Sequence, residues 1–274
     1  MTTGDGGEAR AVAATVRPAT RTSLRLDLTR LGVAAGDVVI VHSSLSSIGF
    51  VVGGAQAVVE ALLEAVAPTG TIVVPTQTGM SDPSTWQQPP VPQAWWSTIR
   101  DEMPAYDPRL TPTRAMGAIV ECFRHHPDTI RSAHPRLSFA ANGLDAERIV
   151  GEHPLTPGLG ESSPVGRLYG LDAKVLLVGV SDANNTSLHL AEYRADWPGK
   201  RSGREGARMF VGGVSRWVDY EDLALDEDDF EEIGEAFERT GGVSRGTIGL
   251  ASSRLCSQRA IVDFATRWMA THRS

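Results

Sequence analysis

Cysteine is nearly absent: Cys122 and Cys256 are the only two in 274 residues. That excludes a disulfide framework and any zinc site built on thiolates. Long apolar runs are missing too, and none approaches the roughly 20 residues of a membrane helix. The start, Thr2 to Glu8, is small and polar, with no basic segment followed by an apolar one, so no secretory signal is visible. Lys and Arg total 26 against 33 Asp and Glu, a net charge of −7. That balance argues against nucleic acid or an anionic membrane as main partner, and it suits a cationic ligand. No Gly-Lys-Ser/Thr phosphate loop and no dinucleotide fingerprint occur. The expectation is a cytoplasmic globular protein.

What is present is an alternation of strand-like and helix-like segments. Residues 1–19 read as a flexible lead, and a helix is expected from Thr22 to Leu31. Val38 to Val41 is a short buried strand that runs into His42-Ser43-Ser44-Leu45. After Gly53-Gly54, the residues Val59, Leu62, Leu63 and Val66 fall on one apolar helix face. Pro68-Thr69-Gly70 ends that helix, and Thr71 to Pro75 is the next strand. Strand, helix and strand in this order form a parallel crossover, the unit of α/β folds. Residues 77–113 are rich in proline and tryptophan with little periodicity, as expected of a substrate-side excursion. Helices are expected at Met116 to Arg124, Ser163 to Tyr169 and Arg259 to Met269, and Arg131 to Asn142 is expected to be a loop leading into a short strand. Met209 to Val211 and Ser215 to Val218 read as a hairpin. Residues 20–274 are expected to form one domain.

Three segments carry possible chemistry. VHSSLSSIGFVVGG leaves a strand and feeds a helix, so its amides and hydroxyls suit phosphate groups, or form an ordinary capped turn. In RSAHPRLSFAANG, Pro135 holds His134 extended, either as a cleft wall or as a structural histidine. In NNTSLHLAEYRA, His189 and Glu192 are three apart on one helix face, just after the apolar run Val175 to Val180. Such a pair is a base with its orienting acid, or part of a solvated face. No second His-rich motif supports a metal. Asp219 to Glu238 holds eleven acids and no Lys or Arg.

The blocks GDVVIVHSSLSSIGFVVGGAQAVVEAL, RSAHPRLSFAANG, GESSPVGRLYGLDAKVLLVGV and NNTSLHLAEYRA stand in this order, followed by VSRGTIGLASSRLCSQRAIVDFA. Together they resemble the aminoglycoside 3-N-acetyltransferases from about residue 20 to the end. The resemblance implies a three-layer α/β/α assembly, unlike the GNAT acetyltransferases. It implies acetyl transfer from acetyl-coenzyme A to the 3-amine of the 2-deoxystreptamine ring of an aminoglycoside, with no metal. By the same resemblance, Ser43, Ser44, Leu45, Ile48, Gly49, Val51, Val52 and Gly53 line the coenzyme. Ser132, His134, Pro135 and Ser138 form a second cofactor-side block. His189 is the general base, Glu192 its acid, and Thr186 a hydroxyl near the thioester.

Substrate contacts are expected from charge and place rather than from the resemblance: Asp82, Glu102, Tyr106, Asp107, Asp182 and Glu192. A monomer or homodimer is expected. Rival readings are transfer to a different amine, a serine hydrolase using Ser43 or Ser44, and a non-catalytic binding protein. Neither serine stands in a Gly-x-Ser-x-Gly elbow.

Overall fold

The computed structural model describes residues 5–86 and 89–274. The first four residues of the expected lead, and residues 87–88 of the expected excursion, lie outside the described residues. The first third of the chain runs α1 (Asp5–Ala14), α2 (Arg21–Leu31), β1 (Val38–Ser43), α3 (Leu45–Ile48), α4 (Gly54–Val66) and β2 (Thr71–Pro75). Then come α5 (Trp96–Glu102), α6 (Gly117–Arg124), β3 (Ile130–Arg131), β4 (Phe139–Gly143), α7 (Ala146–Val150) and α8 (Pro164–Gly170). The last part is β5 (Lys174–Val178), α9 (Leu188–Arg194), the hairpin β6 (Ser202–Val211) and β7 (Val214–Leu223), and α10 (Phe230–Glu238). It closes with β8 (Val243–Ile248), β9 (Ala251–Ser257) and α11 (Gln258–His272).

The central sheet has the order β3-β4-β2-β1-β5-β9-β8. The inner trio β2, β1 and β5 is parallel, and the flanking strands are antiparallel. Alternation along the strands assigns the layers, because successive side chains point to opposite faces. Val39, Val41, Ile72, Val74, Leu176 and Val178 pack with the apolar faces of α2, α4 and α6. Ile40, Val73, Val175 and Leu177 pack instead with α7 to α11. Helices therefore cover both faces, giving three layers of mixed α/β structure.

Local chemistry explains most boundaries. Thr20 and Ser23 cap the start of α2 reciprocally, and Gly32 ends it in a left-handed turn at φ 116°. The Ser163 hydroxyl caps α8 with Pro164 at its first position. Where a flexible lead is expected, Asp5 to Ala14 is helical and packs against α3. Its four alanines favour helix without any amphipathic stripe to reveal it. The β8–β9 hairpin is likewise unannounced in the sequence, because most of β8 is exposed and shows no apolar alternation. Among the described residues, no helix is long and apolar enough to cross a membrane.

Candidate active site

The carboxyl ends of β1 and β5 lie side by side, with Ser43 paired to Val178. The chain leaves β1 toward α4 on one face of the sheet and leaves β5 toward α9 on the other. Such a divergence opens a crevice beyond the strand ends, where α/β proteins bind ligands. Gly179 makes the exit from β5 possible: its φ is +66°, and a Cβ there would lie 2.3 Å from the Ser47 Cβ. A short turn at Asp182–Asn184 follows, and Asn185 bonds to Asp182 and accepts from the Ser187 amide before α9 begins.

His189 sits in the first turn of α9. Its Nδ1 meets Glu192 Oε2 at 2.5 Å, as the i, i+3 spacing allows. With Nδ1–H donated to a carboxylate, the neutral ring carries its lone pair on Nε2. Phe230 packs against the ring, 4.8 Å between centroids. Glu192 is fully buried, and its Oε1 accepts from Arg273 Nη1 at 2.7 Å and from the Asp226 amide at 3.0 Å. Both carboxylate oxygens are thus bonded, which is what a buried charge requires.

His189 and Thr186 border a cleft of about 660 Å³ together with His42 and Ser43. Thr78, Trp86, Arg114 and Arg136 line other parts of it, and among the described residues Glu227 is the only carboxylate in its lining. His42 is buried and its Nε2 has no hydrogen-bond partner. Burial first, and the neighbouring His189 second, hold its imidazole down at about 3, so it is neutral near pH 7.

The coenzyme candidates divide by position. Ser43 reaches the main cleft. Leu45, Gly49 and Val51 line a second hollow of about 410 Å³, together with Gly7, Glu8 and Ala11 of α1. Ser44 bonds to Ser46 and Ser47 through their hydroxyls. Ile48 is buried in the core, and Val52 is exposed. Gly53, in a left-handed conformation, starts α4 without a side-chain cap, so the first amides of that helix lack a side-chain acceptor. The block containing Ser132, His134, Pro135 and Ser138 is different, because none of these four residues lines the main cleft. His134 Nδ1 accepts from the amides of Arg136 and Leu137, and its Nε2 donates to Leu155 O. Burial pushes its pKa down to about 4. Ser132 bonds to His153, Ser138 to Thr76, and the Pro135 carbonyl accepts from Thr78 at 2.5 Å. The structural reading of His134 fits this environment, since the block ties the wall together from behind.

The expected substrate acids do not gather in the cleft. Asp82 is buried and chelated by Arg100, with bonds of 2.9 and 2.8 Å, and also accepts from Ser84. Glu102 is exposed at the end of α5. Tyr106 is buried and donates to Ser132 O at 2.8 Å. Asp107 caps the turn at Arg109 and Leu110. Asp182 is buried under Gly234 of α10. Apart from the exposed Glu102, these residues bond to neighbours within the fold, and Glu192 is the member of the expected set that bonds to His189. Sequence reasoning missed Arg273 and the orphaned His42 nitrogen, whereas Glu227 falls within the acid-rich stretch Asp219 to Glu238 that it singled out. A histidine ending the apolar run Val38 to Val41 was the available signal for His42, whereas nothing local marks Arg273. The Gly-x-Ser-x-Gly string at Gly242 to Gly246 lies at and within the antiparallel strand β8, not at a strand-to-helix turn, so it forms no nucleophile elbow.

Comparison with known proteins places this architecture. Residues 40–270 match the family model described as aminoglycoside 3-N-acetyltransferase. The chain is 46% identical over 265 residues to the SPbeta prophage-derived aminoglycoside N(3')-acetyltransferase-like protein YokD of Bacillus subtilis (strain 168), covering 96% of this chain and 97% of that one. It is 38% identical to aminoglycoside N(3)-acetyltransferase VII of Streptomyces paromomycinus, covering 92% of each. Its structure is similar to the binary complex of AAC-IIIb with CoASH, with a TM-score of 0.83 at 33% identity, covering 92% of this chain and 97% of that one. The chain belongs to the aminoglycoside 3-N-acetyltransferase family of acyltransferases.

Proposed function

We propose that this enzyme transfers acetyl from acetyl-coenzyme A to the 3-amine of an aminoglycoside's 2-deoxystreptamine ring, with His189 as general base. The observation that carries this reading is the buried Glu192 bonded to His189 Nδ1 at the edge of a cleft formed at the β1 and β5 ends. A protonated amine cannot attack, so the substrate must bind as a cation and lose a proton. Glu227 supplies negative charge at the cleft, and His189 Nε2 accepts the proton. Glu192 orients the ring and stabilises the imidazolium that forms. The Thr186 hydroxyl is the donor for charge developing on the acyl oxygen. Acetyl-coenzyme A supplies the acyl group as a thioester: the amine nitrogen bonds to the carbonyl carbon, the C–S bond breaks, and coenzyme A leaves as the thiol with the proton taken up by His189. The coenzyme's phosphates suit the uncapped start of α4 and the small residues of the 43–54 loop. Neither cysteine lines the cleft, which supports direct transfer over an acetyl-cysteine route.

A second reading, transfer to an amine that is not an aminoglycoside, is favoured by one observation. Arg114 and Arg136 line the cleft against the single carboxylate of Glu227, a wall less acidic than a polycation would favour. Thiol release measured across an aminoglycoside panel and simple amines separates the two readings. Release with an aminoglycoside and a product acetylated at the 3-amine supports the first. His189→Ala should then lower turnover at least about a hundredfold while coenzyme A binding persists by calorimetry. Full turnover in that variant overturns the base assignment.

A further inference from the structure

We infer that Arg273, one residue from the C-terminus, is a positioning residue for acyl transfer: it holds Glu192 and, by sharing that carboxylate's charge, keeps the His189 imidazole neutral at rest. The inference rests on the reading of His189 as base. Arg273 follows α11, yet its guanidinium folds back between α9 and the start of α10. Nη1 donates to Glu192 Oε1 at 2.7 Å. Nε and Nη2 form a fork on Asp229, at 2.7 and 2.5 Å, and Nη2 also donates to Asp226 O at 2.8 Å. The side chain is 9% exposed, and the cation lies 4.9 Å from the Trp197 ring centroid. A side chain ordered by so many bonds has lost most of its rotamer freedom.

The consequence for His189 is electrostatic. A buried carboxylate whose only ionic partner was an imidazole would favour the imidazolium, and a base already protonated cannot accept the substrate's proton. Arg273 gives Glu192 a permanent countercharge, since a guanidinium stays protonated at any working pH. Glu192 can then orient Nδ1–H without drawing a second proton onto the ring. Other charged or titratable groups face the pair from the surrounding elements: Lys200 and Tyr193 feel the charge of Glu192, and Arg114 and Arg136 line the cleft that His189 borders. His42 at the end of β1 is neutral. Glu227 lies at the cleft and Asp226 offers its amide to Glu192. Asp229, at the start of α10, takes part of the Arg273 charge.

The test uses the full-length enzyme with Arg273→Met, Arg273→Lys, Asp229→Asn and His189→Ala, each checked for folding by circular dichroism. Two quantities are read: the acid limb of kcat/KM against pH, and the NMR titration of the His189 ring, assigned by its loss in His189→Ala. Arg273→Met should raise both midpoints by about one pH unit, which is about tenfold in kcat/KM below the limb. Arg273→Lys should return both toward the parent values. Asp229→Asn should move both downward, because it leaves Arg273 wholly to Glu192, and it carries the test if Arg273→Met fails to fold. A uniform loss of rate at every pH, with the His189 titration unmoved in the folded variants, overturns the inference and leaves Arg273 a structural clamp. A shifted titration with an unmoved acid limb upholds the coupling and overturns His189 as base.

Discussion

Asp82 and Glu192 are both buried carboxylates facing an arginine, and only Glu192 is bonded to His189. Glu192 spends one oxygen on His189, whereas both oxygens of Asp82 are committed to Arg100 and Ser84. Burial by itself would raise the Asp82 pKa, but the bonds from Arg100 and Ser84 outweigh it and hold the carboxyl at about 2. Its contribution to stability is therefore fully present above the ordinary value of 3.8 and is lost as pH falls toward 2. Asp82→Asn should cost about 2 kcal/mol in urea unfolding at pH 7, because it leaves a partly buried guanidinium without its countercharge. The KM for the amine should change less than about twofold. A large rise in KM with unchanged stability would make Asp82 a substrate contact. Sequence charge alone does not separate these two carboxylates. The difference lies in which arginine the tertiary fold brings to each, from 18 residues away for Asp82 and from 81 for Glu192.

At the scale of elements, the loop from β1 to α4 is held by distant segments. Ala19 pairs with Val51 as a parallel bridge, and Thr15 Oγ1 accepts from the Phe50 amide at 2.9 Å. Gly49 has φ +86°, and a Cβ there would lie 2.7 Å from Thr15 Oγ1 and 2.9 Å from Leu250. Gly49→Ala should therefore strain this loop by about 1–3 kcal/mol. Its KM for acetyl-coenzyme A should rise severalfold while the KM for the amine holds, as steady-state kinetics would record. Equal changes in both constants would argue that the loop does not carry the coenzyme. The β1–α4–β2 unit was legible in the sequence, because Val59, Leu62, Leu63 and Val66 form an apolar stripe between two apolar strands. The hairpin β6–β7 was legible only near its turn, and it runs from Ser202 to Leu223. β8 and α1 were not legible, since exposed residues show no apolar period.

Three of the histidines make the stability of the whole molecule sensitive to pH. His42 and His134 are buried and His153 is half-buried, and desolvation is the main cause holding their pKa values at about 3, 4 and 3. Below the ordinary value of 6.5 the unfolded chain takes up protons that the folded chain refuses until these lower values. Stability should therefore fall as pH drops from 6.5 toward 4, by up to about 1.4 kcal/mol per pH unit for each group. The urea midpoint should be clearly lower at pH 5 than at pH 7.5. An unchanged midpoint would mean that these rings are accessible to protons in the folded state.

The amino-acid sequence by itself determined the alternating α/β layout, the crossover through α4 and the His189–Glu192 pair. Each depends on a period of two or of 3.6 residues, and such periods are written locally. Only the tertiary structure decided which acids stay tied inside the fold, which arginines face the cleft, and that Arg273 reaches Glu192. Charges act through space, and the partner of a buried charge can stand anywhere along the chain.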